Sequence, residues 1–349
     1  MTFNRESVFF SAFRSLCNAL GVVLGIFAAI FLVMFTLSMF SPPALVPEKC
    51  NVSIAPDANG DQDLIHAFSS AVLRIDIKGV IGLEDLTTEN LQNILSDSRV
   101  DFLKKDRVKA LFLYVNTPGG TADDAAGMYK AILDYKTKHK VPVYAFVDGM
   151  CASGGMYICS AADKIYSTSS SVIGSVGVLL GPSFNVSDLM TKVGVQSKTI
   201  TQGKNKDMLS PFRPWKEGED ECLINITKSL YEQFVSVVVT GRKNLSKEKL
   251  IQEYGAQVFD ATTAESFGYI DVADSNYFHA MQALVDASAI PKGEDYQVVL
   301  LSPPKSFFSE LAKNKFSLLS GKIHHTFQIA PYMSSELSGK FLYLYQPSP

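Results

Sequence analysis

The sequence has 349 residues and a formal net charge of −3 at pH 7, with 32 Lys and Arg against 35 Asp and Glu. Apolar residues make up 47% and charged residues only 19%, so the chain is not intrinsically disordered as a whole. The balanced charge provides no basic surface for nucleic acid, and the five cysteines are scattered without a CxxC pair. We therefore expect no nucleic-acid partner, no metal and no cofactor.

An uncharged and mostly apolar stretch begins after Arg14 and continues to the pair Pro42-Pro43. It exceeds the ~20 residues needed to cross a bilayer, whereas a cleavable signal peptide has an apolar region of only ~7–15 residues. The pattern predicts a transmembrane anchor over residues 15–42 after a cytoplasmic segment 1–14. Because Arg5 and Arg14 precede the anchor, the N-terminus is expected inside and the rest of the chain outside the cytoplasmic membrane.

The remaining chain is predicted to be a linker (43–69), an α/β domain (70–300) and a C-terminal extension (301–349). Residues 72–77 alternate with period two, and residues 110–115 and 141–147 form nearly continuous apolar runs typical of strands buried on both faces. Helical spacing over residues 121–138 lies between the last two runs, which predicts a largely parallel sheet. Residues 216–240 and 246–290 are mainly helical in pattern. The apolar alternation at 341–345 fits an added edge strand, an interface strip or a tail near the active site.

Three glycine-rich junctions follow these predicted strands, at residues 116–120, 148–155 and 173–178. Sites in α/β sheets collect in the loops at the carboxyl ends of strands, so the junctions are expected to face one another. Among them Ser153 stands where a strand turns into a predicted helix, next to backbone N–H groups that would stabilise an oxyanion. The alternative is that Ser153 caps the helix and the adjacent glycines form an ordinary turn.

A serine nucleophile needs a base, and no histidine lies in a glycine-rich or strand-end setting. A lysine can serve instead when burial depresses its pKa, and Ser-Lys pairs are an established form of nucleophilic catalysis. From the residues alone this points to attack on a carbonyl without selecting the lysine.

Several motifs in order resemble the signal peptide peptidase A family, also called protease IV or peptidase family S49. They are Ala152–Tyr157, Ala161–Ile165, Gly174–Val178 and Gly268–Asp271, and the resemblance extends from about Val72 over nearly the whole predicted domain. It implies a fold like that of the Clp protease and crotonase superfamily, with repeated β-β-α units, and a Ser-Lys dyad within it.

Carried over by position, the family's nucleophile is Ser153 and its general base is Lys206, with Lys204 as a solvated neighbour. Ser175 matches the serine that orients the lysine amine. The resemblance assigns the oxyanion hole to the backbone N–H groups of Gly154 and Gly120, with Gly119 as the alternative to Gly120. Two departures from the family pattern lie close by: Thr117 stands where serine is common, and Cys151 stands where a smaller residue is usual and is interpreted as a buried cysteine.

The resemblance implies a membrane-anchored serine endopeptidase that degrades remnant signal peptides and other hydrophobic, membrane-associated peptides. Because long members carry two copies of the domain and this chain has one, it also implies a ring-shaped homo-oligomer in which Ser153 and Lys206 meet across subunits. Two other functions stay open. A crotonase-like acyl-CoA enzyme would share the fold and the glycine-rich loops, and an inactive membrane scaffold would use Ser153 only as a cap.

Overall fold

The computed structural model describes residues 8–40, 49–63, 69–303 and 340–345. Contacts divide the chain into two compact units, Met1–Lys49 and Cys50–Pro349, which are described separately. The first unit contains helix α1, Val8–Phe40. Within it, the 26 residues Ser11–Thr36 are long and apolar enough to cross a membrane. At about 1.5 Å of rise per residue, this part of the helix is longer than the ~30 Å hydrocarbon core of a bilayer. The helix begins earlier than the predicted 15–42 anchor.

The second unit is built on an eight-stranded sheet with the order β1-β9-β2-β3-β5-β7-β8, and β6 pairs with β5. Its strands are β1 Asn51–Ala55, β2 Ser70–Lys78, β3 Val108–Thr117, β5 Val143–Ala152, β6 Lys164–Ser167, β7 Val172–Gly174, β8 Val258–Asp260 and β9 Tyr296–Ser302. A second, two-stranded sheet pairs β4, Gly119–Thr121, with β10, Leu342–Leu344. The central pairs β9-β2, β2-β3, β3-β5, β5-β6 and β5-β7 are parallel, whereas β1-β9 and β7-β8 are antiparallel.

Helices cover both faces of the large sheet. They are α2 Thr88–Asp97, α3 Ala122–His139, α4 Gly154–Cys159, α5 Ser187–Lys192, α6 Glu221–Gly241, α7 Lys247–Lys249, α8 Ala261–Phe267 and α9 Tyr277–Ala287, with a 3-10 turn at Asp101–Leu103 and a π-helical turn at Leu250–Tyr254. In β5 the side chains alternate: Val143, Ala145 and Val147 pack with α3 and α4, while Tyr144 and Phe146 pack with α9. The predicted α/β architecture is confirmed, and the apolar runs of β3 and β5 are largely buried on both faces, as predicted.

Two predicted segments differ from the structure. Residues 51–55 fall in the predicted linker but form β1, paired with β9 in register Ala55 to Val298. The helical pattern predicted over 246–290 is interrupted by β8, which pairs with β7. In both cases the strand is short and depends on a partner distant in sequence, so local periodicity does not reveal it. The predictions for residues 41–48, 64–68 and 304–339 lie outside the described residues.

Candidate active site

The three glycine-rich junctions lie side by side at the carboxyl end of the sheet. In the parallel ladders Thr117 at the end of β3 pairs with Cys151, and Ala152 at the end of β5 pairs with Gly174 at the end of β7. The chain that leaves each strand therefore enters the same small region, as the sequence predicts. β3, β4 and α3 follow one another here as one unit of the expected β-β-α kind.

Ser153 is the single residue between β5 and α4 and has a φ of 53° and a ψ of −113°. Its N–H donates to the Gly174 carbonyl at 2.8 Å, and its carbonyl accepts from Tyr157 N–H at 3.1 Å. These bonds hold a backbone conformation that costs on the order of 1–3 kcal/mol for a residue with a Cβ and that clusters at functional sites. Ser153 occupies the N-cap position of α4, but its side chain makes no capping hydrogen bond and its backbone differs from the extended form of an ordinary N-cap.

The Pro-Gly-Gly loop approaches the loop of Ser153 closely at Gly119. A methyl group at Gly119 would lie 2.8 Å from the Gly154 amide nitrogen. The Gly119 N–H itself donates to the Thr117 hydroxyl at 3.1 Å, and that hydroxyl donates to the Gly79 carbonyl at 2.5 Å. Because Gly119 N–H is bound inside its own loop, whereas Gly120 N–H faces β10 in the β4–β10 ladder, the geometry favours Gly120 over Gly119 as the oxyanion donor. Thr117 retains the hydroxyl that a serine would supply.

Ser175 follows β7 directly and is 6% exposed. Its φ is 55°, and its N–H donates to the Gln257 carbonyl at 2.7 Å. The preceding residue, Gly174, is the one whose carbonyl binds Ser153 N–H. The Gly174 carbonyl thus connects the backbone of the two serines. Both serines have a positive φ, which marks a constrained position.

Lys206 is placed differently from the other predicted residues. It is exposed in a series of turns after Gly203, and none of the described residues forms a hydrogen bond or ion pair with its ammonium group. The structure therefore brings the backbone at Ser153, Ser175, Gly120 and Gly154 together, whereas the exposed Lys206 side chain bonds to none of these residues. Lys204 is exposed as well, as expected for a solvated neighbour.

Arg213 stabilises the turn that contains Lys206. This guanidinium binds Asp207 at 2.7 Å and Glu219 at 2.5 Å, and it also donates to the Asp207 carbonyl at 2.7 Å. Its hydrogen bonds lower the pKa of both carboxyl groups, and the two carboxylates raise the pKa of Arg213. Lys206 is thus exposed, while Asp207, the next residue, is held by Arg213 through both its side chain and its carbonyl. The sequence patterns did not predict this contact.

Large apolar side chains on the same part of the chain are exposed. Ile200 is 83% exposed, and the others are Phe184, Leu189, Val193, Val195, Phe212 and Trp215. We call residues 184–215 the lysine arm. Exposed apolar side chains at this density are typical of a surface that contacts another protein.

Cys151 does not compete with Ser153 as a nucleophile. It is fully buried, and its sulfur lies 3.5 Å from that of Cys159. The hydrogen bond with Cys159 and burial raise the pKa of the Cys151 thiol well above its usual value. A thiol with a raised pKa carries little thiolate at neutral pH, so the interpretation of Cys151 as a packing residue agrees with its surroundings.

Comparisons with known proteins show the family of the chain. The sequence pattern of peptidase family S49 matches residues 135–288, which include β5, Ser153, Ser175 and Lys206. A putative signal peptide peptidase SppA from Enterococcus faecium is 32% identical over 212 residues, 59% of this chain and 60% of that protein. A putative protease from Synechocystis is 31% identical over 202 residues, 57% of this chain and 68% of that protein.

These matches define a class of peptidases, and the chain belongs to peptidase family S49. The match covers 60% of the length of the Enterococcus relative. Among solved structures, a ClpP1 variant from Listeria monocytogenes has a TM-score of 0.39 and 15% identity, covering 60% of this chain and 94% of that one.

Proposed function

We propose that the chain is a membrane-anchored serine endopeptidase with Ser153 as the nucleophile. The observation that supports the proposal is the strained backbone at Ser153, whose N–H is bonded to Gly174 and which directly precedes Gly154, where the glycine-rich loops approach one another. Ser153 Oγ attacks the peptide carbonyl, and the N–H groups of Gly120 and Gly154 stabilise the resulting oxyanion. The general base takes the Ser153 proton during the attack and gives it to the leaving amine as the C–N bond breaks, and water then hydrolyses the acyl-enzyme ester.

Lys206 supplies the general base, and Ser175 orients its amine. Because Lys206 is exposed and bonded to none of the described residues, the proposal assigns it to the Ser153 of a neighbouring copy of the chain. The exposed apolar side chains of the lysine arm support such an interface, and a ring of identical subunits satisfies it for every site. Burial in that interface would disfavour the ammonium form of Lys206 and prepare the neutral amine as a base.

Helix α1 anchors the enzyme in the proposal, with the N-terminus in the cytoplasm and the catalytic unit on the outer side of the cytoplasmic membrane. Residues Ser11–Thr36 have the length and composition for one crossing, and Arg5 and Arg14 favour this orientation. An enzyme and a substrate held at one bilayer surface meet at raised effective concentration. Remnant signal peptides and other hydrophobic, membrane-associated peptides are therefore the proposed substrates.

A peptide substrate is favoured over an acyl-CoA by the shape of the cleft beside Ser153. Strand β10 lies there, paired with β4 on one edge and bridged to Leu179 on the other. A cleft that hydrogen-bonds an extended backbone on both edges is complementary to a peptide. An inactive scaffold would not need the backbone strain at Ser153, since a serine cap adopts an ordinary extended conformation.

The test is hydrolysis of a fluorogenic hydrophobic peptide by the full chain in detergent micelles. We expect Ser153→Ala and Lys206→Ala to lose activity by at least about 100-fold, the scale of losing a general base. Lys204→Ala is the matched control and retains activity. An active Lys206→Ala variant would overturn the lysine assignment, and a wild-type chain that assembles but cleaves no peptide would overturn the peptidase proposal.

Mixed assemblies test the cross-subunit dyad. Co-expressed Ser153→Ala and Lys206→Ala chains, each inactive alone, are expected to recover about a quarter of wild-type activity, because a random neighbour pair has the productive order about one time in four. The mixture is purified through two different tags to prove that both chains are present. No recovery in proven mixed assemblies would show that the dyad forms within one chain.

A further inference from the structure

A turn between α2 and β3 exposes apolar and basic side chains together. Val100 is 43% exposed and Phe102 is 41% exposed, although both residue types are usually buried. Lys104 and Lys105 follow closely and are exposed as well. Leu103, by contrast, is fully buried in the main core and holds the turn against it. The turn therefore presents two apolar side chains next to two ammonium groups at the surface.

The end of helix α3 adds basic residues at the same edge of the sheet. The turn precedes β3 and residues 136–140 precede β5, and because these strands are parallel neighbours, both segments lie at their amino ends. Arg99 connects the segments, since its guanidinium lies 4.7 Å from the centroid of the Tyr135 ring on α3. We call residues 99–109 and 136–140 the basic edge. It contains eight Lys or Arg and two Asp, whereas the whole chain has a net charge of −3.

The positive charge of the basic edge is carried mainly by exposed lysines. One of its two acidic residues, Asp106, binds Arg99 at 3.2 Å, so that carboxylate is already balanced. Burial, followed by the charges of Arg99 and Lys138, lowers the pKa of His139, so this imidazole is mostly neutral at pH 7. Four exposed lysines are free to meet a partner outside the chain: Lys104, Lys105, Lys138 and Lys140.

The chain enters the second unit next to the basic edge. Cys50 N–H donates to the Asp97 carboxylate at 2.8 Å, and Asp97 lies only three residues before Val100. Helix α1 ends at Phe40, so residues 41–49 are the whole connection between that helix and Cys50. A fully extended chain covers at most about 36 Å from Phe40 to Cys50. A bilayer crossed by α1 is therefore within reach of the residues around Cys50.

Resting on the proposed anchoring by α1, we propose that the basic edge binds the anionic phospholipid headgroups of the bilayer that α1 crosses. The exposed lysines contact headgroup phosphates, and Val100 and Phe102 enter the boundary between headgroups and acyl chains. Apolar side chains flanked by lysines are typical of protein surfaces that lie in this boundary. The contact restricts the catalytic unit on its short connection and gives it one preferred orientation at the membrane.

Fluorescence quenching in vesicles tests this contact. The full chain carries Trp215→Phe, which removes the single tryptophan, and Phe102→Trp as the probe. It is reconstituted into phosphatidylcholine vesicles with brominated acyl chains, with or without phosphatidylglycerol. We expect stronger quenching when the anionic lipid is present. Phe278→Trp in the same background is the matched control, because Phe278 is 45% exposed on α9, on the opposite face of the sheet. Its quenching should not depend on the anionic lipid.

Charge variants test the role of the lysines in the same assay. Lys104→Gln together with Lys105→Gln should lower the ratio of docked to undocked protein about 25-fold, or about fivefold for each lysine. Lys247→Gln together with Lys249→Gln removes the same charge from exposed positions on α7 and should leave the ratio unchanged. High salt should weaken docking of the unaltered basic edge, because salt screens the headgroup charge. Circular dichroism verifies that each variant is folded.

Two results would overturn the proposal. One is equal quenching of the Phe102→Trp and Phe278→Trp chains. The other is quenching of the Phe102→Trp chain that responds neither to phosphatidylglycerol nor to the loss of both lysines. Extraction with alkaline carbonate tests the anchor separately. A chain that stays in the membrane but gives either result refutes the basic edge alone, whereas a chain that carbonate releases refutes anchoring by α1 and this proposal with it.

Discussion

The hydroxyl of Thr117 is one of the groups that hold the loop of Gly119 and Gly120, proposed to form the oxyanion hole, and the effect of its removal can be predicted quantitatively. Thr117 is fully buried; it accepts from Gly119 N–H and donates to the Gly79 carbonyl. The variant Thr117→Val has nearly the same shape but binds neither group. Gly79 is exposed, so water replaces its lost partner, whereas Gly119 is buried and its N–H stays unsatisfied.

One buried unsatisfied donor costs about 1–3 kcal/mol, so we expect Thr117→Val to lower the free energy of unfolding by that amount. Loss of this hydrogen bond also lets Gly120, the residue after Gly119, move away from its position. Because Gly120 is the proposed oxyanion donor, kcat should fall by about tenfold or more. The control Thr117→Ser keeps the hydroxyl and loses only one methyl group, worth about 1 kcal/mol. It should keep kcat near the wild-type value.

Urea denaturation of the full chain measures the stability of these variants, and hydrolysis of a fluorogenic peptide measures kcat. If Thr117→Val is as stable and as active as the wild type while Thr117→Ser is impaired, the methyl group and not the hydroxyl holds the loop. That result would refute the reasoning, including the argument that Gly119 N–H is unavailable to an oxyanion.

Three further variants test other parts of the site. Gly154→Ala should fold, because its methyl would lie 3.1 Å from the flexible end of Ile81 and from the Tyr343 carbonyl oxygen, which shifts of a few tenths of an ångström relieve, but it should lose about 100-fold in kcat by displacing the substrate carbonyl. Cys151→Ala should stay active, and in the wild-type chain the Cys151 thiol should resist alkylation at pH 7, measured by mass spectrometry, because its pKa is raised. Arg213→Gln should inactivate the enzyme without preventing folding, as seen by activity and circular dichroism.

The same arginine predicts how the lysine arm responds to pH. Arg213 lowers the pKa of the two carboxyl groups that it binds, so each has a lower pKa in the folded arm than in the unfolded chain. Their contribution to stability is fully present above the unfolded carboxyl pKa, about 4, and is lost as the pH falls through the folded values. Protease nicking within the arm should therefore increase below about pH 4 and stay constant from pH 6 to 8. Nicking that is independent of acid would contradict this.

Local patterns were sufficient to predict the central strands and the position of Ser153. Period-two alternation in β2 and the apolar runs of β3 and β5 follow from burial on one or both faces, which acts on neighbouring residues. Glycines at strand ends likewise reflect backbone conformations that only nearby residues determine. These features are encoded over stretches of about ten residues, so they are visible without a structure.

Other features depend on residues far apart in the chain. β1 is a strand because β9, more than two hundred residues later, offers an edge for it. For residues 341–345 the sequence left three interpretations open, and the structure selects a strand beside the active site because β4 and Leu179 supply both of its hydrogen-bonding edges. Pairing partners that are brought together only by folding leave no local periodicity.

The sequence by itself determined the α/β class, the apolar N-terminal helix and the serine at the strand-to-helix junction. Only the tertiary structure decided which backbone N–H groups are free near Ser153, that Lys206 is exposed on the lysine arm, and that Tyr343 closes the cleft. The physical reason is the distance along the chain over which each kind of interaction acts. Propensity and burial patterns act between near neighbours, whereas a free donor, an empty pocket or an unpaired base is defined by what the rest of the fold brings next to it.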